Sequence, residues 1–310
     1  APLRGYGPTM AEEPVVLFPP APAIRSGRNA TVSYWLRQPV DSLTIEILEA
    51  DGDVVRTFQG VAEEEGERGG RGAAAGGRGG GGGFGRGGGR DVPDVTPGLH
   101  TVTWDLRYPD ATTFEGMILW GATTSGPAAV PGTYQVRLRA GGVTRTEPLA
   151  VRINPLYDDV TQADLQAQFD LAIRIRDKVS EANEAVLRIR RVRDDVEERL
   201  AGQDDDRLRE SAERLTAALG EVEEAIYQVR NRSGQDPLNF PIKINNRLAS
   251  LLRAVTRGDG RPIAVAEPIF DDLVEELKVQ TDRLDEVVAT DLASFNAEAR
   301  RLGLDEVEGS

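Results

Sequence analysis

The sequence predicts two folded parts in succession, an immunoglobulin-like antiparallel β-sandwich and then an antiparallel four-helix bundle. Three observations lead there. Up to Ile153, short runs place apolar residues at every second position, the period of a strand with one face in a core. From Thr161 onward they recur at steps of three and four, the period of an amphipathic helix. The acid surplus also sits in the second part, since residues 156–310 hold 22 basic and 34 acidic side chains out of a chain total of 37 and 51.

The elements follow in order. Residues 1–13 read as an irregular lead-in, and Pro14-Val-Val-Leu-Phe18 before Pro19-Pro20 as an edge strand opening a domain over 14–155. Thr31–Leu36 and Leu43–Leu48 alternate cleanly, and Asp51-Gly52 marks a hairpin turn into Val54-Val55, so three consecutive antiparallel strands are expected. An insertion over 61–95, Gly/Arg-rich from Gly66 to Arg90, lacks the apolar surface to offset its ordering entropy and reads as a disordered loop. Alternation resumes in His100–Leu106, Gly132–Leu138 and Val143–Ile153, with Gly141-Gly142 at a turn, giving about seven short strands, the count of a sandwich.

In the second domain, 156–310, Thr161 with Asp164 three residues on is a capping-box-like start, and a long apolar stripe runs from Leu165 to Leu200. Gly202–Asp206 interrupts it, and Leu208 to Val229 repeats the stripe, which predicts a helical hairpin. Ile244 to Val255 marks a shorter third helix. Phe270 to Leu302 marks a long fourth one.

Composition excludes several functions. A net charge of −14 opposes a whole-surface nucleic-acid binder, because phosphate neutralisation needs a basic footprint. With no cysteine there is no disulfide framework, thiolate zinc site or Cys nucleophile. No apolar run is long enough to span a membrane, and no cofactor motif stands out. The chain opens at Ala1 without a Met or signal-like region, so it reads as a C-terminal portion of a larger protein or a processed product.

Leu17–Phe58, with Asn29-Ala-Thr-Val-Ser-Tyr-Trp-Leu36 and Ile45–Phe58, resembles the flagellar-hook-cap-type immunoglobulin-like modules of bacterial surface and secreted proteins. Gly98–Leu106 and Pro131–Leu138 match later strands of that pattern. Together with Gly116-Met-Ile-Leu-Trp-Gly121, Thr161–Phe169 and Asn231–Asn245, the chain is similar to the C-terminal region of bacterial sortilin-like proteins with BNR-type β-propeller repeats, often labelled glycosyl hydrolases or exo-sialidases. The resemblance implies an upstream β-propeller of the same polypeptide as partner and an extracytoplasmic setting. These residues hold no Ser-x-Asp-x-Gly-x-Thr-Trp repeat, so no family catalytic residue has a counterpart here.

Each candidate chemistry has a structural explanation beside it. His100 lies in a strand with no nucleophile elbow nearby and reads as solvent-facing. Asp158-Asp159, Asp194-Asp195 and Asp271-Asp272 are adjacent pairs that diverge around a helix or cap its start, unlike the opposed carboxylates of glycoside hydrolysis. Asp204-Asp205-Asp206 and Asp51-Gly52-Asp53 lack the full spacing of a calcium loop. The Gly66–Arg90 run resembles RNA-contacting RGG segments but offers only Phe84 for stacking, and glycine spacing such as Gly81 to Gly89 has no strand-to-helix context. Arg257-Gly258-Asp259 matches an integrin-type tripeptide, and Asn29-Ala-Thr31 and Asn231-Arg-Ser233 match glycosylation sequons. Of Trp35, Trp104, Trp120, Tyr34 and Tyr134, most read as core; Trp120, in the irregular 114–126 stretch, is the candidate carbohydrate contact.

The sequence therefore predicts a non-catalytic structural or interaction module, with no catalytic residue, metal or cofactor, and with room for a protein partner on the helical bundle. The alternative is a carbohydrate-binding accessory part of a glycosyl hydrolase, contacting glycan through Trp120.

Overall fold

The computed structural model describes residues 12–62 and 92–310 and is a mixed α and β protein. It divides into two compact units that exchange segments in sequence. The first comprises Ala1–Pro109, Pro127–Phe169 and Gly258–Arg261; the second, Asp110–Gly126, Asp170–Arg257 and Pro262–Ser310. A single boundary between 155 and 156 was expected. Instead residues 110–126 fold with the helices, and 156–169 and 258–261 fold with the strands.

Among the described residues the first unit carries eight strands: β1 (Val15–Leu17), β2 (Ala23–Ile24), β3 (Ala30–Leu36), β4 (Ser42–Leu48), β5 (Val54–Val61), β6 (Gly98–Trp104), β7 (Gly132–Ala140) and β8 (Val143–Arg152). One sheet has the order β1-β3-β6 and the other β2-β8-β7-β4-β5, antiparallel throughout except for the short parallel pairing of β2 with β8. Val32, Tyr34 and Leu36 of β3 share one apolar core with Leu43, Ile45 and Ile47 of β4. That is the period-two pattern turned into burial. The β4–β5 hairpin forms as expected at Asp51-Gly52, where Gly52 takes φ +102° and Asp51 Oδ1 accepts the Asp53 N–H at 3.2 Å. β3 does not continue that ladder. It pairs with β1 and β6, because residues 37–41 carry the chain from one sheet to the other.

The expected 61–95 insertion is narrower at both ends, while its Gly66–Arg90 run, with Glu63 to Glu65 and Phe84, lies outside the described residues, as does most of the 1–13 lead-in. Val61 ends β5, Val95 accepts the Val40 N–H at 3.1 Å, and the Asp94 carbonyl accepts the Tyr34 hydroxyl at 2.8 Å. Gly60 is required here, since a Cβ on it would stand 2.1 Å from the Pro93 carbonyl oxygen.

Five α-helices follow: α1 (Gln162–Leu200), α2 (Asp206–Ile226), α3 (Ile244–Val255), α4 (Ala266–Val287) and α5 (Ala293–Arg301). The start of α1 is capped as its sequence suggests, Asp164 Oδ2 accepting the Thr161 N–H at 3.1 Å and Thr161 Oγ1 accepting the Asp164 N–H at 3.2 Å. From residue 170 onward, α1 buries Ile175, Val179, Ala182, Val186, Ile189 and Val196 in one core with Leu208, Leu215, Leu219 and Val222 of α2 and residues of α3, α4 and α5. The single long fourth helix expected is interrupted by a π-helical turn, Val288–Leu292, between α4 and α5. An extra residue in that turn keeps Leu284, Val287, Leu292 and Phe295 all buried.

Among the described residues, no helix is long and apolar enough to cross a membrane.

Candidate functional site

Within the helical unit, residues 110–126 form an irregular segment held by side chains of α1 and α3 and by the residue that ends α2. Asn246, in the first turn of α3, grips the backbone of Trp120 from both sides: its Oδ1 accepts the Trp120 N–H at 2.7 Å and its Nδ2 donates to the Trp120 carbonyl at 2.9 Å. Tyr227, just past α2, accepts the Ile118 N–H at 3.1 Å. Asn183 on α1 donates to the Thr112 carbonyl at 2.7 Å, and Ser180 accepts the Thr112 N–H at 3.0 Å. Thr123 donates its N–H to the Ala249 carbonyl at 3.1 Å. These bonds satisfy a backbone with no ladder of its own, so the segment is fixed without regular structure. Asn245 Nδ2 donates to Asn183 Oδ1 at 3.0 Å, while Asn245 Oδ1 and Asn231 Oδ1 are buried with no partner among the described residues.

The frame leaves Trp120 43% exposed, whereas Trp104 is 1% exposed. Trp104 Nε1 donates to the Arg107 carbonyl at 2.9 Å, and its ring meets Tyr134 edge-on at 5.5 Å. Tyr34 and Tyr134 are buried too, and burial pushes both phenols above their ordinary range. Trp104, Tyr34 and Tyr134 are thus core, Trp35 on β3 is half-buried, and Trp120 is exposed.

A second feature lies between α1 and α2. A cavity of about 340 Å³ is lined by Arg190, Arg193, Asp194, Glu197, Thr216 and Glu223, with Val196 and Leu200. Glu223, its side chain 5% exposed, accepts from Arg190 Nε at 2.8 Å and Arg193 Nη1 at 3.0 Å. Arg190 also lies over the rings of Phe114, at 4.6 Å, and Tyr227, at 5.5 Å. One carboxylate shared by two guanidiniums holds the charge in place, and the aromatic faces hold Arg190. No group here is positioned as a nucleophile and its base.

Other candidates resolve locally. Asp205 caps α2, accepting the Arg207 and Leu208 N–H groups at 3.1 and 3.0 Å; its bond from Arg301, with those caps second, holds its carboxyl below the usual carboxylate range. Its neighbours Asp204 and Asp206 both pair with Arg209, so the acidic triplet is a helix start. Among the described residues, no cluster of three or more His, Cys, Asp or Glu is arranged to hold a metal ion. His100 is mostly covered where solvent exposure was expected: its Nε2 lies 2.8 Å from the Thr96 carbonyl and its ring 5.4 Å from that of Tyr34. Asp158 and Asp159 are exposed in a turn, Asp271 lies 3.9 Å from Arg174, and Asp194 lines the cavity. Asn29 is exposed, but Asn231 is buried, which closes that sequon to modification.

The Arg257-Gly258-Asp259 tripeptide has its acid turned inward. In the strand unit, Asp259 accepts from Arg25 Nε at 3.0 Å, the two side chains being 5% and 3% exposed. Arg25 further donates to the Ala129 carbonyl at 3.1 Å and to Gln168 Oε1, and Gln168 donates to the Gly258 carbonyl at 3.0 Å. An integrin-type loop needs that carboxylate outside.

Sequence reasoning missed Asn246, Tyr227, Glu223 and Arg25. The one available signal was the Asn245-Asn246 pair beside the apolar stripe of Leu248 and Leu252, where polar residues at a buried edge need partners.

No family model matches the chain, and no curated protein does. Among solved structures, a chain named pT26-6p aligns over 89% of this chain at 14% identity and a TM-score of 0.20, and this chain spans about half, 49%, of its length. At that score the alignment assigns neither fold nor function.

Proposed function

We propose that this chain is a non-catalytic interaction module, built as an immunoglobulin-like sandwich and a four-helix element, with the helical unit as its binding half. The observation that carries the reading is the 110–126 segment: main-chain bonds to Asn246, Tyr227 and Asn183 hold it in place while Trp120 stays exposed. A prearranged aromatic of this kind loses little conformational entropy on binding. For the architecture, the support is two sheets feeding one core and four long helical stretches feeding another. The resemblance to sortilin-like proteins adds an upstream β-propeller and an extracytoplasmic setting to the proposal.

The alternative assigns Trp120 to carbohydrate, as a stacking face in a glycosyl-hydrolase accessory part. Isothermal titration of the chain and of Trp120→Ala with neutral and sialylated glycans separates the two. The module reading expects no glycan heat from either protein. Glycan binding that disappears in Trp120→Ala establishes the alternative and sinks the module reading.

A further inference from the structure

The helical unit carries a local charge opposite to that of the whole chain. Between Tyr227 and Arg257 there are six basic residues, Arg230, Arg232, Lys243, Arg247, Arg253 and Arg257, and one acid, Asp236, for a net of +5 in a chain of net −14. That acid is already occupied: the N–H groups of Arg232 and Ser233 bond its carboxylate and hold it below the usual range. Arg247 pairs with Glu276 on α4. Arg232 lies beside Asp236, while among the described residues Lys243 and Arg253 form no ion pair within 4 Å.

Two of these charges, Lys243 and Arg253, lie on the face of α3 that holds Trp120. Asn246, Ser250 and Arg253 share one face of α3 by their spacing of four and three, and Asn246 and Ser250 are the residues that bond the Trp120 backbone. Lys243 sits at the N-terminal end of that face. α3 starts with no side-chain cap and no acid in its first turn, so its positive dipole end adds to the same field. Apolar side chains complete the surface: Ile242 precedes Lys243 and Leu238 lies four residues further back, both exposed, and Gln228 ties that loop to α2's end through the Pro241 carbonyl at 2.8 Å.

We infer that this surface docks an acidic segment of a protein partner, with an apolar side chain seated on Trp120 and Ile242 and carboxylates meeting Lys243, Arg253 and the start of α3. The inference rests on the module reading and supplies its partner chemistry. Exposed aliphatic groups beside the cations favour a peptide over a sugar. Long polyanions such as nucleic acid would meet the acidic remainder of the unit as well, whereas a short segment reaches only the local patch within about one Debye length, roughly 8 Å at physiological salt.

The test is fluorescence anisotropy with the full chain and a short labelled peptide of Glu and Asp around a central Leu-Phe pair. The expected result is saturable binding that weakens with added salt. The double variant K243E/R253E and the single variant Trp120→Ala should each lose about tenfold or more, while Arg191→Glu, an exposed basic residue of α1 outside the patch, should match the unaltered chain. Circular dichroism checks that the variants remain folded. Binding unchanged in the double variant and in Trp120→Ala overturns this surface and leaves the module reading standing. Glycan binding through Trp120 with no peptide binding overturns both. Tighter binding of an oligothymidylate or of phosphatidylglycerol vesicles than of the peptide also overturns the assignment to a protein.

Discussion

Two arginine–carboxylate groups, one in each unit, show how differently the two halves treat charge. Arg25 in the strand unit is enclosed, and its guanidinium meets Asp259, Gln168 and main-chain carbonyls. Arg190 in the helical unit is paired with Glu223 but shares a cavity with Arg193, Asp194 and Glu197, and its side chain stays 36% exposed. The first arrangement directs four hydrogen bonds inward and joins β2's exit, the 128–129 backbone, the start of α1 and the 258–261 loop. The second leaves polar capacity facing solvent. The tryptophans differ in degree, with Trp104 buried and Trp35 half-buried in the strand unit and Trp120 exposed in the helical unit. The strand-unit pair is enclosed, whereas the helical-unit pair faces a cavity open to solvent.

The comparison breaks most sharply at Asp259. Removing one member of a buried pair strands the other charge, which costs about 3–5 kcal/mol. Asp259→Ala should therefore lower the unfolding free energy by that amount, read from a denaturant titration followed by near-ultraviolet circular dichroism. A change under about 1 kcal/mol would mean that water reaches the guanidinium and that the enclosure is not what matters.

Next in size is Gly60→Ala. The added methyl meets the Pro93 carbonyl oxygen, a backbone atom that gives way only if residues 92–95 move, and overpacking of this kind costs about 1–3 kcal/mol. The companion Gly52→Ala meets no atom within 4 Å and is strained only through its positive φ. If Gly60→Ala unfolds at the same denaturant concentration as the unaltered chain, the close approach at Gly60 is not a constraint.

How much of this was legible beforehand differs by element and by cause. β3, β4, β6, β7 and β8 were readable because alternation is a local signal, and the helices because a 4-3 stripe persists over many turns. β2 was not, since Ala23-Ile24 is too short to show a period. The pairing of β3 away from β4 was equally hidden, because alternation says which face is buried and nothing about which sheet owns the strand. Arg25 and Asp259 lie 234 residues apart, and no pattern in either neighbourhood announces the other. The assignment of 110–126 to the helices depends on Asn and Tyr side chains bonding main chain, a form of order without periodicity. Trp120 was singled out from its irregular surroundings; the basic residues around α3 were hidden by the acidic total.

Glu223→Gln probes the helical side of the comparison. Substitution keeps the hydrogen-bond acceptor but removes the charge shared by Arg190 and Arg193, whose side chains are 36% and 41% exposed, so solvent screening reduces the effect to about 1–2 kcal/mol. Arg190 retains the faces of Phe114 and Tyr227, so the helical unit should stay folded while its unfolding midpoint falls. A loss as large as that of Asp259→Ala would show that the cavity-facing pair is as closed as the strand pair.

The smallest effect is the response to acid in the strand unit. Glu46 on β4 bonds Arg137 on β7, 2.7 Å from its Nε, and that bond, opposed by partial desolvation, holds the Glu46 carboxyl below its ordinary value of 4.5. Asp94 is likewise held low, by the Thr96 hydroxyl and N–H. A carboxyl whose folded-state value is depressed releases its proton more readily in the folded chain, so it stabilises the fold above the unfolded value. That contribution fades as pH falls through the depressed folded value. Denaturation of the strand unit should accordingly show a constant midpoint above about pH 5 and a gradual decline below 4.5. Glu46→Gln should lower the neutral-pH midpoint slightly and flatten the decline, because the amide keeps an acceptor for Arg137 without a titrating proton. If the variant declines as steeply as the unaltered chain, the acid sensitivity belongs to other carboxylates and the β4–β7 pair is only a surface contact.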